Sequence, residues 1–338
     1  MNAVWQVTYS RAEIEGFMTD DVSFVKLANE GREKLSSSPA QSHFKVYAIL
    51  VVEKVDGSLC LVHGANSEQG YIGGAICAER SALCALRFIE KPIVRHVVVV
   101  TDSATPTSPG VLCREYLMSH TQPEVHIVMG NATSDHIINC QLRELWPHPY
   151  LYRFADRSDV VEAAKLVSEL IKDDDGVVSA VGDDIRALRS HAMGVNYRDA
   201  LDALHPIRFS AAVMFEDGTV ETAWMLKGLE YGCTLDPVSQ LVHQMEKRKL
   251  CAPCTPVGST TNIHQAGLHC KPTLLIMCDQ FGVAHAPFAQ ARSILYEHGY
   301  EYVRVAVHDV GGTLHTTSVL DLVPQPTGTN LVACDDFH

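Results

Sequence analysis

The sequence lacks a long apolar run and is poor in basic residues. No apolar stretch approaches the roughly 18 residues that a membrane-spanning helix needs, and the N-terminal segment carries several acids without the apolar core of a signal peptide. Lysine and arginine number 27 against 40 aspartate and glutamate residues, so the formal net charge is -13. Because polynucleotide binding depends on cations that neutralise phosphates, this balance argues against a nucleic-acid partner. The composition predicts a cytoplasmic protein without a membrane span, which binds small neutral ligands.

The sequence also lacks the pattern of a disulfide framework. Its 11 cysteines are scattered through apparent strands and helices of a 338-residue chain, which is far too large to need covalent stapling. We interpret them as reduced thiols or metal ligands. Most are expected to lie in the core, since free cysteine buries readily.

Strand and helix patterns alternate along the chain. The stretches "KVYAILVVE", "RHVVVVTDS" and "VHIVMGN" have the apolar, β-branched content of strands, whereas "CAERSALCALRFIEK" and "LCREYLMSH" have helical spacing. The predicted fold class is therefore α/β.

A helical stretch with an acidic break at residues 173–176 interrupts this alternation, after which the plan of the first half recurs. "RFSAAVMFEDGTVETAWM" resembles "HFKVYAILVVEKVDGSLCLVHGAN", because both read as a strand, an Asp-Gly turn and a strand. We predict a tandem duplication. The expected domains are residues 1–150 and 205–338, joined by a helical connector at 151–204.

The triplet Cys77-Ala78-Glu79 combines a thiol with an acid at the start of a predicted helix. Residues i and i+2 of a helix lie about 200° apart, so a helix-start cysteine can bind a metal ion while Glu79 reaches the same site without binding it. Hydrolytic zinc sites need protein ligands, an open position and an acid that moves protons. A second thiol, Cys113, follows in "PGVLCRE". Taken alone, each cysteine is also compatible with a buried core residue.

Three stretches, "QSHFKVYAIL", "GANSEQGYIGGAICAERSAL" and "TSPGVLCREYL", resemble successive motifs of the cytidine deaminases that act on free nucleosides. The resemblance covers roughly Ser42 to Pro147. It implies a three-layer α/β/α sandwich and a zinc ion held by Cys77 and Cys113. Glu79 would be the acid/base that moves protons from the attacking water to the ring nitrogen N3 and to the leaving ammonia.

The same resemblance assigns the contacts to the nucleoside. Asn66 and Glu68 stand eleven and nine residues before Cys77, where the family binds the ribose hydroxyls. Phe44 stands where an aromatic residue flanks the base. These residues predict a free nucleoside as the substrate.

The second cysteine motif departs from the family pattern, because Gly110 stands where the family has another thiolate ligand. Loss of one ligand is expected to weaken zinc binding by on the order of 10² or more. Asp102, His120 and Cys140 are the candidate substitutes in this half. Two functions stay open: hydrolytic deamination of cytidine or deoxycytidine in pyrimidine salvage, and a pseudoenzyme that serves as a nucleoside-binding or scaffold protein.

The second half has lost the residues of the reaction centre. Counted in the same way, the ribose contacts, the first metal ligand, the acid and the two later cysteines are replaced by Met225, Lys227, Asp236, Val238, Phe288 and Ala291. This half resembles the degenerate domain of two-domain cytidine deaminases, and we predict that it serves as a structural partner in a homodimer.

An insertion in the second half carries further candidate metal ligands, which are Cys251, Cys254, His264, His269 and Cys270. The Cys-x2-Cys and His-x4-His spacings are typical of zinc sites, but the gap between the pairs is shorter than usual. We interpret the insertion as a Pro/Gly-rich loop with unrelated thiols, with a structural zinc site as the alternative.

Overall fold

The structure is a computed structural model that describes residues 9–68, 75–153, 155–156, 158–171, 180–229, 234–250 and 271–324. The chain divides into two compact units, one formed by Met1–Pro147 with Pro324–His338 and the other by His148–Val323. No helix among the described residues has the length and apolar character to cross a membrane. The candidate ligands between Cys251 and Cys270 and the acidic break at residues 173–176 lie outside the described residues.

The first unit is built on a five-stranded sheet. Its elements, in chain order, are α1 (Arg11–Thr19), α2 (Asp21–Leu35), β1 (Val46–Glu53), β2 (Leu59–Ala65), α3 (Ala78–Leu86), β3 (Ile93–Thr101), α4 (Val111–His120), β4 (His126–Gly130), β5 (Ile137–Gln141) and α5 (Leu142–Leu145). The strand order is β2-β1-β3-β4-β5. The pair β3 and β4 is parallel and the other pairs are antiparallel.

Helices cover both faces of this sheet, which explains why β1 is apolar at nearly every position. On one face, Tyr47, Ile49 and Val51 of β1 pack with α1 and α2, including Ile14 and Phe24. On the other face, α3 packs on β1 and β2. The predicted three-layer α/β/α class is confirmed.

Gly64 in β2 lets α3 approach the sheet closely. A Cβ atom at position 64 would lie 2.2 Å from the carbonyl oxygen of Ala78 and 2.4 Å from the backbone nitrogen of Ala82. Neither backbone atom can move without shifting the helix. Gly64 therefore sets the distance between the sheet and the helix that carries Glu79.

We expect Gly64→Ala to destabilise the first unit by about 1–3 kcal/mol, the usual cost of overpacking a tight contact. Denaturant unfolding measures the change. Gly16→Ala in α1 is the matched control, because a Cβ there meets nothing within 4 Å. It should be neutral or stabilising, since alanine is the better helix former. Equal stability of the two variants would contradict this role of Gly64.

The second unit repeats the same sheet. Its elements are α6 (Val160–Leu170), α7 (Ala180–Val195), a 3-10 helix (Asn196–Arg198), β6 (Phe209–Phe215), β7 (Val220–Trp224), α8 (Pro237–Leu250), β8 (Pro272–Asp279), β9 (Ala284–His285), α9 (Ala289–Glu297), β10 (Arg304–His308), β11 (Leu314–Ser318) and α10 (Val319–Leu322). The order β7-β6-β8-β10-β11 matches the first sheet, with β9 added beside β8. Here too one pair, β8 and β10, is parallel and the other pairs are antiparallel. This shared topology supports the predicted duplication.

Helix α7 falls in the segment predicted as a connector, yet it packs on the second sheet. Its residues Ile185, Leu188 and Ala192 form one apolar cluster with strand residues that include Ala212 and Ile276. The helix therefore supplies a layer of the second unit. The predicted domain limits at 150 and 204 stay a prediction.

Candidate functional site

Two helix starts in the first unit carry the chemistry. Cys77 is the residue that precedes α3, and Cys113 is the third residue of α4, so both thiols lie in a first helical turn as the sequence predicts. Gly110 precedes α4 with φ -62° and ψ 159°, close to the φ -73° and ψ 160° of Cys77. The two capping positions thus have the same backbone conformation.

The packing of α3 against α4 gathers three possible donors. The sulfurs of Cys77 and Cys113 and a carboxylate oxygen of Glu79 all lie within 4.8 Å of one another. Two thiolates on one tetrahedral zinc ion stand about 3.8 Å apart when each Zn–S bond is about 2.3 Å. Glu79 is 3% exposed and Cys113 is fully buried, whereas Cys77 is partly exposed. The arrangement is an acid and two thiols that share one largely buried space.

The two thiols are electrostatically unequal. A hydrogen bond from Cys113, aided by the Arg80 guanidinium, lowers the pKa of Cys77 to about 6. The same hydrogen bond and burial raise the pKa of Cys113, so Cys113 keeps its proton and donates it to the Cys77 thiolate. Arg80 donates to the Cys77 sulfur at 3.6 Å and to the carbonyl oxygen of Ala75 at 3.1 Å. A thiolate is thus available for a metal ion near neutral pH.

Burial controls the protonation of the Glu79 carboxyl group. It raises the pKa of Glu79 to about 7, and the nearby Cys77 thiolate adds to the effect. A carboxyl group with a pKa near the working pH can both give and accept a proton, which is the requirement for an acid/base catalyst. Sequence alone indicates the residue type but not this shift.

We expect Cys77 in the metal-free protein to alkylate with a rate that reaches half its maximum at a pH below the ordinary range of cysteine, because Cys113 and Arg80 stabilise its thiolate. Mass spectrometry after iodoacetamide treatment measures this, with the exposed Cys84 of α3 as a reference thiol in the same digest. Cys113→Ala removes the main hydrogen bond to the Cys77 sulfur and should move the midpoint toward the ordinary range of cysteine. An unchanged midpoint in this variant would contradict the hydrogen bond from the Cys113 thiol to the Cys77 thiolate.

The donor set suits zinc but is one thiolate short of three. Among the described residues, the cluster contains none of the predicted substitutes, Asp102, His120 and Cys140. The Asp102 carboxylate accepts a hydrogen bond from the backbone of Lys45, and Cys140 lies in β5. His120 ends α4, seven residues or about 10 Å along the helix axis from Cys113. The two thiolates nevertheless fit a zinc ion with positions left open.

The predicted nucleoside contacts lie at the neighbouring ends of β1 and β2. A backbone bridge between Ser67 and Ile76 brings this segment beside Cys77. The Asn66 amide donates to the carbonyl oxygen of Phe44 at 2.8 Å, and its oxygen accepts from the Val46 backbone at 2.8 Å. Asn66 thus fixes the segment that carries Phe44, which is half-buried.

Two further residues of this region make contacts that the sequence did not predict. Ser42 donates to both carboxylate oxygens of Glu68. Arg114, buried at 1% exposure, donates to the carbonyl oxygens of Pro109, Leu145 and Pro324 at 2.8, 3.0 and 2.8 Å. Both residues lie inside the quoted motifs, but the sequence gives no signal for their contacts, because the contacting residues come together only in the folded unit.

The equivalent positions of the second unit are used for packing. The Ser67–Ile76 bridge recurs as Leu226–Leu235, which sets Asp236 in the place of Cys77. The Asp236 carboxylate accepts from the backbone nitrogens of Val238 and Ser239 at 3.0 and 2.9 Å and so caps α8. Phe288 precedes α9 as Gly110 precedes α4, and its ring lies 5.1 Å from that of Phe209. In the described part of this unit, no cluster of metal-binding side chains occurs.

Comparisons with known proteins find similarity to cytidine deaminases. The chain is 30% identical to the cytidine deaminase of Halalkalibacterium halodurans over 128 residues, which are 38% of this chain and 92% of that protein. The crystal structure of cytidine deaminase from Burkholderia pseudomallei matches with 28% identity and a TM-score of 0.34, over 38% of this chain and 97% of that one. The structure from Mycobacterium tuberculosis matches with 22% identity and a TM-score of 0.32, over 43% and 98% of the two chains. No protein-family model matches the chain.

Proposed function

Because this chain belongs to the cytidine deaminase family, we propose that its first unit hydrolyses cytidine or deoxycytidine to uridine or deoxyuridine and ammonia. The observation that carries the proposal is the buried Glu79, whose carboxylate lies within 4.8 Å of both the Cys77 and Cys113 sulfurs. An acid with a pKa of about 7 beside two metal-binding thiols is suited to proton transfer during hydrolysis of an amidine.

Cys77 and Cys113 would hold the zinc ion. When bound, zinc supplies a nucleophile near neutral pH because it lowers the pKa of water. Glu79 would take a proton at its carboxylate, deliver it to N3 of the pyrimidine and later help the amino group to leave as ammonia. The guanidinium of Arg80, which donates to the Cys77 sulfur, would offset part of the negative charge of the thiolates.

Phe44, Asn66 and Glu68 would hold the nucleoside. The half-buried Phe44 offers an apolar surface to the base. Glu68 offers acceptor oxygens to the ribose hydroxyls, and Asn66 keeps the strand ends in register through its two backbone hydrogen bonds. A free nucleoside fits this set better than a polynucleotide, because the net charge of -13 disfavours a phosphate backbone.

The wider setting of the activity is also a proposal. We place the enzyme in pyrimidine salvage in the cytoplasm and expect a homodimer in which the second unit contributes packing surface. Light scattering at micromolar concentration tests the assembly: twice the mass of 37.1 kDa supports it and a single chain mass contradicts it.

A direct assay tests the proposed reaction. Cytidine, deoxycytidine and adenosine are each incubated with the purified full chain and zinc, and the ultraviolet absorbance change is followed. Conversion of the two cytosine nucleosides but not of adenosine supports the proposal. A chain that binds uridine without turning over either cytosine nucleoside would instead support the pseudoenzyme.

A further inference from the structure

We propose that Ser42 is a positioning residue of the nucleoside site, which holds the Glu68 carboxylate ready for the ribose hydroxyls. The inference rests on the proposed function. The backbone nitrogen of Ser42 donates to Oε2 of Glu68 at 2.8 Å, and its hydroxyl donates to Oε1 at 2.6 Å. One residue thereby fixes both oxygens of the carboxylate.

The two hydrogen bonds from Ser42, one to each oxygen of Glu68, fix the plane of the carboxylate. The carboxylate can still accept a hydrogen bond from a ligand. An ionised carboxylate has about four acceptor sites, of which Ser42 uses one on each oxygen. The hydrogen bonds from Ser42, with a smaller contribution from the backbone of Gln41, also lower the pKa of Glu68. Glu68 is thus an acceptor on both oxygens, and a ligand that meets it must offer hydrogen-bond donors. The hydroxyl groups of a ribose or deoxyribose satisfy this requirement.

Ser42 also ties the carboxylate to the segment that carries the aromatic ring. Its hydroxyl oxygen accepts a hydrogen bond from the backbone nitrogen of Phe44 at 3.0 Å. Asn66 holds the same segment through the Phe44 carbonyl oxygen. The predicted contacts to the sugar and to the base are therefore fixed relative to each other by one short stretch of chain.

The second unit has a contact equivalent to that between Ser42 and Glu68, but it stabilises the fold instead of facing a ligand. There, His205 stands four residues before Phe209 as Ser42 stands before Val46, and Lys227 takes the place of Glu68. The Lys227 ammonium donates to the carbonyl oxygen of His205 at 2.8 Å and pairs with Asp199 at 2.9 Å, with both side chains at most 2% exposed. That contact is buried and structural, whereas Glu68 is partly exposed and can meet a ligand. A test of Ser42 must therefore separate binding from stability.

The test compares Ser42→Ala with Ser42→Thr, which keeps the hydroxyl, and with the control Ser37→Ala on the same exposed approach to β1. Uridine binding is measured by calorimetry, kcat and KM are measured for cytidine, and the melting temperature is recorded for each full-length variant. We expect Ser42→Ala to weaken uridine binding and raise KM by about tenfold or more, because the lost bond is to a charged group. The kcat should stay within about threefold, which assigns the effect to binding. Ser42→Thr and Ser37→Ala should resemble the wild type.

Each outcome decides the proposal. Wild-type turnover with an unchanged KM in Ser42→Ala overturns the role of Ser42 and leaves the proposed reaction intact. If the wild type binds uridine but does not turn over cytidine, and Ser42→Ala weakens that binding, the result supports the role of Ser42 and overturns the proposed reaction. If the melting temperature falls in Ser42→Ala and Ser42→Thr does not restore binding, Ser42 has only a structural role and the inference is overturned. The absence of uridine binding by the wild type also overturns it.

Discussion

Replacement of Glu79 by glutamine is expected to lower kcat for cytidine by about 10²–10⁴, the usual contribution of a positioned proton-transfer group. Glutamine keeps the size of the buried side chain but cannot carry a proton between the attacking water, N3 and the leaving amine. The absorbance change from cytidine to uridine measures the loss, with zinc content determined on the same samples. Zinc content should stay near that of the wild type if Glu79 is not a ligand.

Glu90→Gln is the matched control, since Glu90 is exposed and lies in the turn after α3. It should leave kcat and zinc content unchanged. Full activity of Glu79→Gln would contradict the assignment of the acid/base. A loss of zinc together with activity would show instead that the carboxylate of Glu79 binds the metal.

Gly110→Cys is expected to tighten zinc binding by on the order of 10² or more and to raise deaminase activity with it. A Cβ atom at position 110 meets nothing within 4 Å, so the side chain fits without displacing a neighbour. The backbone conformation of Gly110 matches that of Cys77, with φ of -62° and -73° at the two positions. A cysteine there would begin α4 three residues before Cys113, where both thiolates can meet one ion.

Competition with a chelator measures the zinc affinity, and Gly110→Ser is the control that adds a side chain of similar size without a thiolate. Adding Glu79→Gln to Gly110→Cys should abolish the gain in activity while keeping the gain in affinity. If the wild type already binds stoichiometric zinc and Gly110→Cys changes nothing, a substitute ligand exists. A variant that binds zinc tightly and never turns over cytidine would favour the pseudoenzyme.

Local signals in the sequence were enough to predict the strands and the two helix starts of the site. Cys77 and Cys113 follow turns and precede helical spacing, and this pattern alone places both thiols in a first helical turn. That they meet, with Glu79 between them, came from the family resemblance. The α/β/α layers followed from the same source.

Contacts between distant residues could not be predicted in this way. The bonds of Arg114 to Leu145 and Pro324 join positions 31 and 210 residues apart. The packing of α7 on the second sheet could not be predicted for a related reason, because the apolar residues of α7 give no sign of the sheet they cover. The pKa of Glu79 also depends on burial, which is a property of the folded unit.

Ammonia release from cytidine by the wild-type chain, with zinc measured on the same sample, tests the central claim most directly. A deaminase centre at Cys77, Glu79 and Cys113 predicts one ammonia for each uridine formed, many turnovers per chain, and a rate proportional to zinc content. A zinc-loaded, folded protein that releases no ammonia from cytidine or deoxycytidine would contradict it.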